Sequence, residues 1–364
     1  MEYRQNDFDR VVELADFVAA TWDPKMKWMW GEALLGYALD ELDRAKGTGD
    51  YTEFLTKFCD HWVKADPAVD QSDTAAPGLI TYAMYRRTGK PEYKKLTDKV
   101  LHYIRHAPRL YLDCLNHLGS SGKGKLYPKS VWIDSVMMFS VFTSLYAREN
   151  GDADLLEFAA RQPKQYASMM FDPQDHLWAH SYWVKQKKPF PRRKLYWARG
   201  NGWVICGFPM ILDQIGKDHP QAPQILQIYR QTSQALLGCM AEDHTFSTLL
   251  KYPSYRELSA TALISAGWMH GIRRGYLDES FLTPAVEAFR ACLQALEKTE
   301  EGVFMPEISG PTIPLPLFPK LGYALVPVGR NWSYGIAALI FAAIAYRKLW
   351  EKEDLPLDNP GEKL

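Results

Sequence analysis

The sequence has few cysteines and no excess of charge of either sign. Its 364 residues include five cysteines, an odd number, which are widely spaced and never form a C-x-x-C pair. This pattern argues against a disulfide framework and against a zinc site. Lysine plus arginine number 43, as do aspartate plus glutamate, so no net field attracts nucleic acid or an anionic membrane. We expect neither as a partner.

A long hydrophobic run and an export signal are also missing. The most apolar stretch, residues 333–346, is about 14 residues long, short of the roughly 20 that span a bilayer, and is predicted to be a buried helix. The amino terminus has acidic residues where a signal peptide would need a basic start and an apolar run. The sequence therefore predicts a cytoplasmic protein.

The chain does have an apolar composition with helical periodicity. Hydrophobic residues make up 47% of the sequence, which is enough for a sizeable core. Apolar residues recur at helical spacing in about twelve segments, and no run alternates convincingly as a strand would. The predicted helices cover residues 8–21, 29–45, 51–65, 75–88, 91–107, 133–148, 152–169, 201–217, 221–239, 257–273, 280–298 and 332–348. This predicts an all-α fold.

Short glycine-containing turns join these helices into hairpins. Thr48-Gly49-Asp50, Thr88-Gly89-Lys90 and Asn150-Gly151-Asp152 each end one helix and start the next within a few residues. The helix before each turn is rich in small and apolar residues, whereas the helix after it carries more charge. Six such hairpins predict a closed (α/α)6 barrel, a single catalytic domain over residues 1–364. An open superhelix of helical pairs would show a similar alternation.

Aromatic and charged residues are concentrated just before the predicted inner helices, at one end of the barrel. Indole rings stack on the apolar faces of sugars, and carboxylate and guanidinium groups bind hydroxyls in pairs, so this concentration predicts a carbohydrate site. No spacing fits a metal site, a phosphate-binding loop or a serine or cysteine nucleophile, and we expect no metal or cofactor. The segments are Trp28-Met29-Trp30, Ser72-Asp73-Thr74, Trp132-Ile133-Asp134, Trp197 to Trp203 (WARGNGW), Tyr255-Arg256-Glu257 and Asn331-Trp332.

Each of these residues also has a purely structural explanation. Asp73 and Asp134 stand where helix N-caps stand, and Glu257 in a first turn would interact favourably with the helix dipole. His180, in an aromatic stretch, can be a hydrogen-bonded structural histidine. The pairing of a tryptophan with a charged or amide group at several helix starts favours the carbohydrate site, because core packing does not require it.

These motifs resemble the unsaturated glucuronyl and rhamnogalacturonyl hydrolases, glycoside hydrolase families 88 and 105, the second more closely. The resemblance runs through most of the chain and rests on the W-x-D motif at residues 132–134, on YWARGNGW at 196–203, and on ELSATA at 257–262 followed by GIRRG at 271–275. Related sequences often carry a histidine about eight to ten residues before W-x-D and a glycine after it. Here residues 121–125 read SGKGK, and Ser135 follows the aspartate.

The resemblance implies a hydrolase that removes a terminal 4,5-unsaturated uronyl residue from lyase-generated oligosaccharides, of the rhamnogalacturonan or pectin type, by hydrating the C4=C5 double bond. It implies that Asp134 is the general acid/base and Asp73 the second active-site carboxylate. The implied substrate-binding residues are Trp28, Trp30, Trp132, His180, Arg199, Trp203 and Glu257.

The implied mechanism places a condition on Asp134, which must hold a proton. A helix amino terminus favours the anion by roughly 0.3 to 1 kcal/mol, whereas burial raises a carboxyl pKa by up to about 3 to 5 units. We therefore expect burial beside Trp132, with Asp73 near it, to raise the pKa of Asp134. Arg199 is expected to bind the substrate carboxylate through both arms of its guanidinium. The alternative is an ion pair within the protein, in which case Arg199→Lys would harm stability as much as turnover.

Three other functions remain open from the sequence. An inverting glycosidase would cut saturated oligosaccharides with Asp134 and Glu257 as acid and base. A sugar epimerase would need paired histidines, and His180 is the only histidine in these segments. A non-catalytic sugar-binding module would keep its function in Asp134→Asn. The chain is predicted to be a monomer or a homodimer, and the proline-rich segment 310–327 has no assigned role.

Overall fold

The computed structural model describes residues 2–192 and 194–351, and the predicted helices appear in it in the predicted order. Residues 352–364 of the predicted domain lie outside the described residues. A π-helical turn covers Val136–Ser140 and a 3-10 turn covers Glu279–Phe281. The α-helices are α1 (Gln5–Thr21), α2 (Trp30–Lys46), α3 (Thr52–Ala65), α4 (Ser72–Ala75), α5 (Gly78–Thr88), α6 (Pro91–His106), α7 (Gly122–Leu126), α8 (Val141–Asn150), α9 (Ala153–Met170), α10 (Ala198–Ile215), α11 (Ala222–Leu237), α12 (Leu258–Arg273), α13 (Leu282–Gln294), α14 (Pro319–Ala324) and α15 (Ser333–Trp350).

Six helices form a closed inner ring. Each of α2, α5, α8, α10, α12 and α15 contacts the next, and α15 returns to contact α2. The outer helices are α1, α3, α6, α9, α11 and α13, and they pack on this ring. As predicted, the inner helices are buried on most sides: α15 buries all of residues 333–346, whereas α3 buries only Phe54, Leu55, Phe58 and Cys59. The closed ring confirms the (α/α)6 barrel and excludes the open superhelix.

Glycines let the inner helices approach closely. A Cβ atom on Gly267 in α12 would overlap the backbone carbonyl of Ile205 in α10. Glycines also end inner helices in the left-handed conformation: Gly89 follows α5 with φ 67° and Gly151 follows α8 with φ 66°. Helix α2 ends at Lys46 and is followed by Gly47 with φ 69°, slightly before the predicted turn.

Two predicted inner helices start differently from the prediction. The helix predicted over residues 75–88 is split into α4 and α5 around Pro77, which precedes α5 and cannot donate a backbone hydrogen bond. The helix predicted over residues 133–148 begins with the π-helical turn before α8. Both irregular starts lie next to a predicted catalytic aspartate.

The connections contain short antiparallel strands that the sequence did not reveal. Strands of two or three residues are too short to show a period-two pattern. They pair as β1–β2, β3–β4–β5, β6–β7, β8–β9 and β10–β11. Their bounds are β1 Arg109–Tyr111, β2 Cys114–Leu115, β3 Ser130–Trp132, β4 Ser181–Trp183, β5 Lys188–Phe190, β6 Tyr196–Trp197, β7 Leu249–Leu250, β8 Glu297–Thr299, β9 Gly302–Phe304, β10 Ile308–Ser309 and β11 Val328–Gly329.

The apolar stretch at residues 333–346 is buried, as predicted. All five cysteines are free; Cys239 is half-buried and the other four are buried. Within residues 2–192 and 194–351, no helix is long and apolar enough to cross a membrane.

Candidate active site

A strand pair brings Asp134 and His180 together. Trp132 at the end of β3 pairs with Ser181 at the start of β4, and the Ile133 amide donates a 3.0 Å hydrogen bond to the His180 carbonyl. As a result, Oδ2 of Asp134 lies 3.3 Å from Nε2 of His180. Neither atom has hydrogen-bond geometry with any partner among the described residues, so this is a close electrostatic contact. His180 is buried, and 14% of the Asp134 side chain is exposed.

A second carboxylate and a second histidine come from two different connections: Asp73 lies between α3 and α5, whereas His117 lies between α6 and α8, on the connection that also carries Asp134. Asp73 is in the one-turn helix α4, and its Oδ1 lies 3.3 Å from Nε2 of His117. Nδ1 of His117 lies 3.0 Å from the Ser135 hydroxyl, next to Asp134. The His117 backbone is fixed on both sides, because its amide donates to Ser130 and its carbonyl accepts from Ser72. The Asp73 side chain is 17% exposed.

Trp132 lies between the two carboxylate–imidazole pairs. Its indole stacks on His117 with ring centres 4.5 Å apart and planes within 7°. The edge of the same indole faces His180 at 5.1 Å. Its Nε1–H donates a 2.8 Å hydrogen bond to the Ser130 hydroxyl, which fixes the ring. Both carboxylates thus reach the surface beside one rigid aromatic wall.

The charge state of Asp134 differs from the sequence-based expectation. Burial raises the pKa of Asp134, but His180, and after it His117, lower it more, so the pKa lies below its ordinary value. The expectation of a raised pKa was wrong because it included burial and Asp73 but not two adjacent histidines. Burial in turn lowers the pKa of His180, and the attraction of Asp134 offsets this only in part. At neutral pH the ligand-free site therefore holds an Asp134 carboxylate and a neutral His180.

A residue of the proline-rich loop, residues 310–327, holds the far side of His180. The Tyr323 hydroxyl lies 2.8 Å from Nδ1 of His180, although the two residues are 143 positions apart. The Trp197 indole stacks on the same imidazole at 4.3 Å. Tyr323 is 1% exposed, so its hydroxyl is part of the site's interior. The loop that had no assigned role thus supplies a direct partner of a site histidine.

Arg199 is not available to a substrate in this structure. Its side chain is fully buried and lies between the rings of Trp197 and Tyr334, each 4.7 Å from the guanidinium carbon. Nη1 donates to the Ser309 carbonyl and Nη2 to the Gly310 carbonyl, both at 2.9 Å. Arg199 also lies 3.5 Å from Glu257, which is the predicted alternative of an internal ion pair. The geometry gives it a scaffold function, joining α10 to the base of the proline-rich loop.

Glu257 is equally occupied, as the N-cap of α12. Its Oε2 accepts a 2.6 Å hydrogen bond from the Ala260 amide, and its Oε1 accepts from the Ser259 hydroxyl and the Ser309 amide. Its side chain is fully buried. Both carboxylate oxygens therefore bind the scaffold, and neither can contact a substrate. Glu257 thus has the structural role at a helix start that the sequence analysis gave as its alternative. Asp73 and Asp134, by contrast, cap no helix here: the cap of α4 is Gln71.

The predicted aromatic walls fall into two groups. Half-buried Trp30 stacks on Tyr334 at 4.5 Å and meets the buried Trp203 edge-on at 6.1 Å. Trp28 instead packs against Phe58 and Trp62 and lines a separate open pocket of about 410 Å³. Thr74, which follows Asp73 in the chain, also lines this pocket, and its carbonyl accepts a hydrogen bond from Trp28.

The sequence reasoning missed His117 and Tyr323. A histidine before the W-x-D motif was sought at residues 121–125, but His117 lies upstream of that glycine- and lysine-rich stretch. A wider search interval would have found it. His117 lies outside the segments in which His180 was the only histidine, and the structure places it beside Asp73. For Tyr323 no local signal exists, because its contact with His180 depends on the tertiary fold.

Within the described part of the chain, no three His, Cys, Asp or Glu side chains are grouped as metal ligands would be.

Comparison with known proteins identifies similar sequences. The family model described as Glycosyl Hydrolase Family 88 matches residues 5–350. The unsaturated rhamnogalacturonyl hydrolase YesR of Bacillus subtilis is 24% identical over 347 residues, which cover 94% of this chain and 97% of that protein. An unsaturated 3S-rhamnoglycuronyl hydrolase of Alteromonas sp. is 24% identical over 209 residues, covering 55% of this chain and 51% of its own.

Solved structures share the fold. A possible member of the GH105 family from Salmonella enterica superposes with a TM-score of 0.85 at 18% identity, covering 95% of both chains. The unsaturated glucuronyl hydrolase of Bacillus sp. GL1 gives a TM-score of 0.72 at 15% identity, covering 92% of this chain and 96% of that one. These likenesses agree with the (α/α)6 barrel described above.

Proposed function

Since the chain belongs to Glycosyl Hydrolase Family 88, we propose that it removes the terminal 4,5-unsaturated uronyl residue from oligosaccharides produced by a polysaccharide lyase. The chain is a glycoside hydrolase. The observation that best supports this reaction is the pair of carboxylate–imidazole contacts, Asp134–His180 and Asp73–His117, on either side of Trp132. One carboxyl can transfer the proton while the other orients water.

The proposed chemistry is hydration of a vinyl ether. Asp134 gives a proton to C4, and the ring oxygen stabilises the cation that develops at C5. Water adds to C5 and returns a proton to the Asp134 carboxylate. The resulting hemiketal opens to a ketone, which leaves a hemiacetal at C1, and its collapse releases the neighbouring sugar as an alcohol. One water is consumed, and Asp134 ends in the state in which it began.

Asp134 must gain its proton when the substrate binds. The pKa of Asp134 is low in the free site because of the two histidines, but the substrate brings a carboxylate and displaces water from the exposed part of the side chain. Both changes raise a carboxyl pKa. A neutral His180 suits either state of Asp134: with the proton on Nε2 it faces a carboxylate, and with the proton on Nδ1, toward Tyr323, it faces a protonated carboxyl.

The binding residues of the proposal follow from exposure and position. Trp132 and Trp30 serve as aromatic walls for the terminal sugar, with Trp203 behind Trp30. Asp73, oriented by His117, binds water or a hydroxyl. Trp28 lines the adjacent pocket, and Arg199 and Glu257 belong to the scaffold. We propose rhamnogalacturonan-type oligosaccharides as substrates, because the relative that matches nearly the whole chain is an unsaturated rhamnogalacturonyl hydrolase.

The test is an assay of the conjugated double bond by its ultraviolet absorbance, with unsaturated disaccharides prepared by lyases from rhamnogalacturonan, ulvan and glycosaminoglycans. Wild type should remove the absorbance of at least one of them. Asp134→Asn should lose about 10² to 10⁴-fold in kcat, the range that a general acid/base contributes. The matched control is Asp154→Asn, an exposed carboxylate in the first turn of α9, which should retain full activity.

The rival inverting glycosidase makes the opposite prediction. It would cleave saturated oligosaccharides and leave the double bond of the unsaturated ones intact. It also needs Glu257 as its base, and Glu257 has no exposed carboxylate oxygen with which to activate water. Cleavage of saturated but not unsaturated substrates would overturn the proposed function.

A cytoplasmic location stays a prediction. Fractionation of cells that express the full chain measures it, and recovery outside the cytoplasm would contradict it.

A further inference from the structure

Most of the large apolar side chains that are exposed in the described residues belong to the proline-rich loop and its base. The loop is closed by pairing of β10 with β11 and by a 2.8 Å hydrogen bond from the Gly310 amide to the Pro327 carbonyl. Its exposed apolar residues are Leu315, Leu317, Phe318, Leu321, Leu325, Val328 and Trp332.

These side chains are held on one folded loop. Leu315 packs on Gly322 of α14, where a Cβ atom would lie 2.9 Å from the leucine, and the Trp332 indole packs on Gly329. Phe318 is 74% exposed and has a left-handed backbone, with φ 54°. A bulky residue in that conformation is unfavourable and persists when its surroundings fix it.

The exposed apolar area matches what a dimer needs. Leu317, Phe318 and Leu325 are each more than two-thirds exposed, and the others range from 36% to 54%. A large side chain has a surface of about 150 to 250 Å². Multiplied by the exposed fractions of the seven side chains, this gives an exposed apolar area on the order of 700 Å². Apolar patches on monomers rarely exceed a few hundred Å², and a stable interface buries about 800 Å² on each partner.

Charge and chemistry favour a second copy of this chain as the occupant. The only charged residue within the loop is Lys320, which lies over the Tyr252 ring. Two such loops can therefore face each other about a two-fold axis with little repulsion. Five of the seven exposed side chains are aliphatic and offer a sugar neither hydrogen bonds nor a flat aromatic face, so the substrate is a poorer occupant than a second copy.

We propose that this protein forms a homodimer through its proline-rich loops, and that the contact braces Tyr323 against His180. Tyr323 lies in α14 with the exposed Leu321, and Leu325 follows that helix directly. Burial of these neighbours restricts the loop that positions the Tyr323 hydroxyl 2.8 Å from Nδ1 of His180. The existence of the dimer does not depend on which reaction the protein catalyses. The effect of the dimer contact on Tyr323 rests on the proposed function, because it is measured by turnover.

The experiment measures the mass of the full-length chain by sedimentation velocity across a wide range of concentrations. Wild type should be a dimer that dissociates on dilution, and its activity per molecule should fall over the same range. Leu317→Ser/Phe318→Ser should be a monomer with a kcat reduced about 3- to 10-fold, as expected when one buried hydrogen bond to His180 is weakened. Leu112→Ser, at an exposed leucine outside the loop, should remain a dimer with full activity.

Two results would overturn the proposal: a wild-type monomer at every concentration, or a double variant that still forms the dimer. If the double variant loses its helical circular dichroism, Leu325→Ser replaces it with the same expected results. A monomeric variant with unchanged kcat would refute the bracing of Tyr323 alone. If no unsaturated substrate is turned over, the proposed function fails, and sedimentation still decides whether the dimer exists.

Discussion

Asp134 and Asp73 each face a histidine whose other ring nitrogen is also held. His180 is fixed by Tyr323 and His117 by Ser135, so neither imidazole can turn away from its carboxylate without losing a second contact. The stacking of Trp132 on His117 and of Trp197 on His180 restrains the ring planes. The site is therefore organised before substrate binds, which reduces the ordering cost of reaching the reactive geometry.

The pKa of His180 is expected to lie below the ordinary imidazole value of about 6.5, because its burial outweighs the attraction of Asp134. At pH values between the pKa of His180 in the folded protein and the ordinary imidazole pKa, the unfolded chain binds a proton that the folded protein does not. The contribution of His180 to the free energy of unfolding is therefore complete above about pH 6.5 and is lost as the pH falls toward the folded pKa. Nitrogen NMR of labelled imidazoles, with His180→Gln to assign the signal, measures this value. A pKa above that of a free imidazole would contradict the prediction.

At the scale of elements, Arg199 connects three parts of the barrel. From the first turn of α10 it reaches the cap residue of α12 and the carbonyls of Ser309, which ends β10, and of Gly310. A lysine keeps the charge but cannot reproduce these forked contacts.

Arg199→Lys should therefore lower the free energy of unfolding by about 1 to 3 kcal/mol, the cost of leaving buried partners unsatisfied. Asp134→Asn should change it much less. Urea unfolding of both variants, followed by circular dichroism, tests this. If Arg199→Lys keeps wild-type stability and loses only substrate affinity, Arg199 is a substrate ligand after all.

The contact between α10 and α12 depends on Gly267. A methyl group there would overlap the Ile205 backbone, so Gly267→Ala should lower the free energy of unfolding by about 1 to 3 kcal/mol, as overpacking does. Gly238→Ala is the matched control. Its φ is −72° and the nearest atom would be 3.5 Å away, so this alanine should be neutral or slightly stabilising. Equal effects of the two alanines in thermal unfolding would refute the close approach.

At the scale of the whole molecule, the inner ring shares one continuous apolar core with the outer helices. The prediction of a single domain over residues 1–364 is not tested by this geometry alone and stays a prediction. One domain should unfold in one cooperative step. Tryptophan fluorescence and far-ultraviolet circular dichroism should then give the same urea midpoint, and two separated transitions would contradict a single domain.

The sequence by itself determined the helical hairpins and their order, and it predicted a site at one end of the barrel. These follow from local causes: the spacing of apolar residues, glycine at helix ends, and the difference in polarity between the two helices of a hairpin. It also placed Asp134, Asp73 and His180 at the same end of the barrel, because each belongs to a connection before an inner helix. The short strands escaped detection because two or three residues carry too little periodicity.

Only the tertiary structure decided what each polar residue touches. Tyr323 meets His180 across 143 positions and Arg199 meets Gly310 across 111, and no local pattern encodes such contacts. The proximity of His180 and His117 reversed the expected pKa direction of Asp134, since electrostatic energies depend on distances between side chains and not on residue type. The tertiary contacts also make Arg199 and Glu257 part of the scaffold, although the resemblance had implied that they bind substrate. Whether two charged residues form a buried ion pair depends on how the chain folds, and residue type alone does not reveal it.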